Sequence, residues 1–293
     1  MIRPIPAVRK VRVQLGRLSF TRLSLFWVVL LFVFSWGYVL LGGDSGFANL
    51  TSGKTWSNAG EFVRELAGFG SDVRPAYLQV DQWVEKAKLA YQTLAMSVLA
   101  MIFAVAGVTL TFLPAARNMG NGELGGTPSR LWMVLYYLVR VTFILTRAIP
   151  ELVWALIIIF FLSPGILPGA LALGLHNYGV LGKLSAEVVE NLDPRPTRAL
   201  RAAGSSNFQM LLYGIIPQAL PQLLTFMLYR WEVVIRTTVV VGFVSAGGLG
   251  REFRLSLSFF HYSEVALIIF WYLLLVIGVD LLSAWLRRLA RFN

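Results

Sequence analysis

The chain contains no cysteine, so neither a disulfide framework nor a thiolate metal site is open to it. Histidine is nearly as scarce. His176 and His261 are far apart in sequence and match no metal-ligand spacing. Charged residues make up only 14% of the chain, against about 25% in an ordinary soluble domain. Acids are the scarcer sign, 15 against 26 Lys and Arg, for a net charge of +11. In a soluble protein that excess would point to nucleic acid. Here the residues are 57% hydrophobic and fall in long runs, so the bases instead mark loops on the cytoplasmic side of a membrane, and no nucleic-acid partner is expected. The nucleotide-cradling pattern G-x-x-x-x-G-K is also missing; "GVLGK" at 179–183 has the wrong spacing. ATP hydrolysis by this chain is therefore not expected.

What is present is a series of apolar runs. A helix needs about 20 mainly apolar residues to cross the hydrocarbon. "LSLFWVVLLFVFSWGYVLL", 23–41, is the first, preceded by Arg3, Arg9, Lys10, Arg12, Arg17 and Arg22 without an acid. It is too long for a signal-peptide core and reads as an uncleaved anchor. Residues 42–88 hold six acids and five bases, a balance that fits an outside loop with short amphipathic helices, for example around Glu61–Phe69. Further spans are expected at 93–113, at 131–162 as one long helix kinked by Pro150, at 167–189 with many glycines, at 217–243 and at 262–285. The result is an all-α integral membrane protein with six spans and both termini inside. Its segments are a basic cytoplasmic N-terminus 1–22, an anchor 23–41, an extracytoplasmic loop 42–88 and a five-helix core 89–293.

Between the fourth and fifth spans lies "RPTRALRAAGSSNFQMLLYGIIPQALP", 195–221. "TRALRAAGSSNF" reads as a short helix ending at Gly204, since glycine is common just past a helix end. Pro217 suits the first turn of the next span. A short helix held along the membrane between two spans is a shape another protein can grip.

This segment resembles the coupling loop of ABC importer permeases. That pattern is Glu-Ala-Ala, three residues, Gly, nine residues, an aliphatic, one residue and aliphatic-Pro. Ala199, Gly204, Ile216 and Pro217 stand at the matching positions, while Arg198 takes the Glu slot, Leu200 the second Ala slot and Gly214 the first aliphatic slot. "RAIPELVWALI", "GALALGLHNYGVLGKLSAEVVENLDPRP", "LYRWEVVIRTTVVVGFVSAGGLG" and "DLLSAWLRR" extend the likeness over about residues 90–290 to the phosphonate permease (PhnE) group. The resemblance implies a type I (MetI-like) importer permease in a bacterial cell membrane, working as a homodimer by alternating access. Two ABC ATPase subunits, which hold ATP and Mg, would dock on a coupling loop at 190–216 through Asp193, Pro194, Arg198, Ala199, Ala202 and Gly204, ahead of Pro217. An extracytoplasmic binding protein would deliver phosphonate, phosphate or phosphite. Another substrate such as methionine, or a secondary transporter, is the alternative, and a membrane-embedded enzyme fits least.

Charges inside the spans are the candidate lining of the path, because charge in hydrocarbon is costly and usually faces a partner or water. They are Arg140, Arg147, Glu151, Arg230, Glu232, Arg236 and Asp280. Arg147 with Glu151, and Glu232 with Arg236, are four apart and can pair on one helix face. Arg140 and Arg230 have no such partner and could attract an oxyanion. His176 reads as a packing hydrogen-bonder. Gly247, Gly248 and Gly250 read as a tight turn near the outer gate.

Overall fold

The computed structural model describes residues 20–41, 46–70, 74–120 and 130–291. Most of the basic N-terminus and part of the 114–130 loop lie outside these residues, as do Asp44 and Asp72. Two units are distinguished, 1–63 and 64–293. The first holds α1 (Phe20–Leu41), a 22-residue apolar helix with no buried residue. It also holds most of α2 (Gly53–Leu66). Helix α2 is the amphipathic helix expected near Glu61, but it starts and ends earlier. Ser52 Oγ accepts the Thr55 N–H at 3.3 Å and Trp56 Nε1 donates to Leu50 O at 3.0 Å, and these contacts fix its first turn.

The second unit is a helical bundle. In order it contains α3 (Val80–Thr111), the one-turn α4 (Arg117–Gly120), α5 (Arg130–Ala148), α6 (Glu151–Ile159) and α7 (Ile166–Glu190). There follow α8 (Arg195–Ala202), α9 (Asn207–Gln209), α10 (Ile216–Val241), α11 (Gly248–Ser258) and α12 (Tyr262–Arg291). A π-turn, Met210–Ile215, joins α9 to α10 in one continuous helix. Among the described residues five helices are long and apolar enough to cross a membrane: α1, α3, α5, the continuous α9–α10 helix and α12.

Helix α7 is long enough at 25 residues, yet His176, Asn177 and Lys183 interrupt its apolar run, and its position explains why. Helices α3, α5, α6 and α10 all pack on it, so its neighbours are helices rather than lipid. Met96, Ala100 and Ala104 of α3 meet Ala170, Leu173 and Leu181 of α7 and Val234 and Val241 of α10 in the main core. Contact is close because the facing residues are small. A Cβ on Gly179 or Gly182 would overlap Thr146 or Phe143 of α5.

Three expectations are corrected. The third span is not one kinked helix. It is two, α5 and α6, broken at Ile149–Pro150. Pro150 has no N–H for the Thr146 carbonyl, and Trp154 Nε1 takes that acceptor instead at 3.0 Å. The second span starts at Val80, so its first turns come from the stretch expected to be loop. The fifth span starts at Asn207, where Ser206 and Gln209 form a reciprocal capping box. Its π-turn lies just ahead of Pro217, whose ring would crowd the Tyr213 carbonyl of a regular α-helix.

Candidate functional site

The elbow between α7 and α10 is built by short-range bonds. Asp193 Oδ1 accepts the Arg195 N–H at 3.0 Å, and Pro194 opens α8. Gly204 closes it in the left-handed region (φ 81°), with Gly204 N–H on Arg201 O at 3.0 Å and Ser205 N–H on Leu200 O at 3.1 Å. One face of α8 is anchored: Thr197 is buried, and Thr197 and Leu200 lie against Gly214, where a Cβ would be 2.8 Å from Thr197 Cγ2. The other face leaves Arg195, Arg198, Ala199 and Ala202 exposed. Gly214, which breaks the aliphatic pattern, is thus the residue that lets α8 lie flat on the helix leading to Pro217.

Inside the bundle, α6, α7 and α10 bring four polar side chains together. Arg230 Nε and Nη2 both donate to Asn177 Oδ1, at 2.9 and 2.6 Å. Asn177 is buried and its Nδ2 donates to Leu173 O at 2.7 Å, which turns its oxygen toward the guanidinium. His176 Nδ1 donates to Ile149 O, the carbonyl freed at the helix break, at 3.0 Å, and its Nε2 lies 3.4 Å from Glu151 Oε2. Among the described residues Arg230 has no carboxylate within ion-pair distance. Its hydrogen bonds go to a neutral amide, and the Glu151 carboxylate acts on it only at longer range, without a direct bond.

The expected same-helix pairs do not form. The break at Pro150 takes Glu151 out of register with Arg147, and the Glu151 carboxylate faces His176 instead. Glu232 and Arg236 turn away from each other toward α12. Glu232 pairs with Arg287, and Arg236 Nη2 meets both oxygens of Asp280 at 2.6 and 2.8 Å, while its Nη1 donates to the Glu232 backbone carbonyl. Arg140 is not partnerless. Its Nη2 meets Glu190 Oε1 at 2.5 Å, its Nε donates to Ala115 O at 2.8 Å, and its guanidinium lies over the Tyr136 ring. The same Glu190 oxygen accepts the Arg117 N–H at 2.8 Å, so Arg140 staples the corner after α3 to the end of α7.

Gly247 (φ 101°) and Gly248 (φ 68°) turn the chain from α10 into α11. The turn sits against α3, where a Cβ on Gly248 would be 2.5 Å from Thr93 Oγ1. A Cβ on Gly250 would be 2.2 Å from Val239 O and 2.9 Å from Gly242 Cα. Sequence reasoning missed Asn177, Glu190 and Arg287, and also Lys86, Glu252 and Glu264. These are partners of charges, and their only linear signal was one more charge or amide in an apolar run.

A helical bundle that holds polar side chains among its membrane-length helices, with a short basic helix in one connection, has the make-up of a protein that passes a polar solute. That defines a transport permease. The chain belongs to the family described as binding-protein-dependent transport system inner membrane component, whose pattern matches residues 130–292. It is thus the multi-pass inner-membrane permease of an ABC importer rather than an enzyme, and ATP hydrolysis belongs to a separate subunit.

It is 35% identical over 252 residues to the phosphite transport system permease protein PtxC of Stutzerimonas stutzeri, covering 86% of each chain. It is also 35% identical over 236 residues to the phosphate-import permease protein PhnE of Mycolicibacterium smegmatis, covering 78% of this chain and 42% of that longer one. The fold matches the inward-facing MetNI methionine ABC transporter with a TM-score of 0.59 at 17% identity, over 70% of this chain and 95% of that one. An amino acid ABC transporter crystallised with histidines matches over the same shares with a TM-score of 0.56 at 19% identity.

Proposed function

We propose that this permease admits phosphorus oxyanions, the class that spans phosphite, phosphate and phosphonate, and that Arg230 is an anion station on the path. The relatives named for phosphite and phosphate transport at 35% identity support the substrate class. The observation that carries the station is Arg230 itself, a guanidinium within the spans bonded to an amide and not to a carboxylate. A planar guanidinium matches oxyanion oxygens in pairs, and a charge left unpaired among helices attracts a counter-charge.

The working assembly is a homodimer of this permease, itself in contact with membrane lipid, with two ABC ATPase subunits, which carry ATP and Mg, and an extracytoplasmic binding protein. The segments are a basic N-terminus, an anchor over 23–41, an outer stretch that ends where α3 begins at Val80, and a permease core from there on. In this reading both termini and α8 face the cytosol, and α7 is the sixth span. The ATPases grip α8 through Arg198, Ala199 and Ala202, framed by Asp193, Pro194 and Gly204, and motion passes through Pro217 to α10, Arg230 and the outer turn at Gly247, Gly248 and Gly250. Arg147 and Glu151 line the path near Arg230. Arg140, Glu232 and Arg236 bear on it through the pairs that they form.

The test is uptake into vesicles holding the assembled complex and its cognate binding protein, with phosphite, phosphate and a phosphonate offered in turn. Arg230→Gln should lower uptake by roughly 30- to 150-fold while leaving assembly intact. Arg140→Gln should reduce assembly but leave uptake per assembled complex unchanged. Full uptake by assembled Arg230→Gln complexes refutes the station.

A further inference from the structure

The transport reading leaves one buried charge without a task. Lys86 lies near the start of α3 with only 1% of its side chain exposed. Its ammonium is 2.7 Å from Glu252 Oε1 on α11 and 3.0 Å from Glu264 Oε2 on α12. Glu85 is 3.9 Å away and mostly exposed. Ser256 Oγ donates to the same Glu264 oxygen at 3.3 Å, and the other Glu264 oxygen faces His261 Nδ1 at 3.3 Å. One ammonium thus ties three helices together.

Helix α11 is an unusual member of that junction. It has eleven residues and hangs from two successive glycines in the left-handed region. At its near end the Leu249 N–H donates to Thr93 Oγ1 at 2.9 Å. Its buried residues are Gly248, Leu249, Gly250 and Ser256, so Leu249 is the one large apolar side chain it buries. Leu249 rests on Ala90 and Ile268, and Phe253 stacks on Phe243. Beyond the close backbone packing at Gly248 and Gly250, α11 buries little apolar surface, so the Lys86 contacts weigh heavily on its far part. A short helix on a double-glycine joint, with a charge clamp one turn beyond the joint, has the build of a hinged flap with a catch.

We propose that α11 is the moving part of the outer gate and that Lys86 is the positioning residue that latches it to α3 and α12. The proposal rests on the permease reading above. The chemistry of the catch suits the role. While Lys86 sits between them, two carboxylates are held together. Without it they share a half-buried site as like charges and repel. The catch is firm when closed and pushes itself apart when broken.

The absence of native cysteine makes the test direct. Ala90→Cys, 2% exposed beneath α11, places one reporter thiol under the flap of the full assembled complex. A membrane-impermeant maleimide is added from the outside. The parent should label slowly, at a rate that differs between the nucleotide-free and vanadate-trapped complex. Lys86→Met should raise the nucleotide-free rate about tenfold and remove that difference, and Glu252→Gln, which leaves Lys86 one carboxylate, should raise it roughly threefold.

Unchanged labelling in either variant overturns the latch. So does a variant that lowers the yield of complex but keeps the nucleotide difference, since that is a folding role alone. If Lys86→Met does not assemble, Glu252→Gln decides. A parent with no bound ATPase and no nucleotide response sinks the permease reading, and the gate with it. Unchanged labelling in a complex that does carry its ATPase sinks the latch alone.

Discussion

Lys86 and Arg230 are both cations inside the helical bundle, and the chain treats them in opposite ways. Lys86 is sealed among carboxylates from two other helices. Arg230 is given the oxygen of a buried amide, itself fixed by a bond to Leu173 O. In the first case the charge is consumed by the structure. In the second it is positioned but left available. The difference teaches where to look for a transport function in a chain full of intramembrane charge. The informative residue is the oriented one that lacks an opposite charge. By that measure Arg140, Arg236 and Arg287, each paired with an acid, belong with Lys86.

The contrast can be broken in order of expected effect. Lys86→Met should cost about 3 kcal/mol, the low end for breaking a buried pair, because the two carboxylates it strands are half-buried. A fall in the thermal midpoint of the purified complex measures it, and a loss under about 1 kcal/mol would put Lys86 with ordinary surface pairs. Arg230→Gln should lower oxyanion uptake by roughly 30- to 150-fold, the equivalent of about 2–3 kcal/mol for lost charge-assisted bonds, with the midpoint nearly unchanged. Asn177→Asp sharpens the comparison by giving Arg230 the carboxylate it lacks. It should keep the complex assembled and cut uptake by about tenfold, since the new acid satisfies the charge that the substrate would meet. Uptake at the parental rate would mean that the charge of Arg230 does not matter. Gly204→Ala should cost about 1 kcal/mol through its left-handed backbone, seen as a small loss of complex stability.

Much of the fold was legible because a membrane demands apolar runs of fixed length. The spans at 23–41 and 262–285 lie inside α1 and α12. The glycine-rich run at 167–189 became α7, and the short helix before Gly204 is α8. What was not legible is where charges go between helices. Spacing within one helix suggested Glu232 with Arg236, yet register against α12 gave Glu232 to Arg287 and Arg236 to Asp280. Lys86 looked like a loop residue because it precedes the apolar run, although α3 had already begun at Val80. Helix α11 was missed altogether. It is short and carries Arg251, Glu252 and Arg254, so neither length nor apolarity marks it.

The two links between α10 and α12 carry one more implication. Glu232 and Arg236 stand a single turn apart on one helix, and Arg287 and Asp280 stand two turns apart on the other. Tyr272 adds a third tie, its hydroxyl donating to Arg236 O at 3.2 Å. Displacing one helix along the other by a turn, about 5.4 Å, would break both ion pairs and leave four charges without their partners. Sliding between these two rods is thereby opposed, and the rearrangement that carries solute across is expected to move them together as one beam.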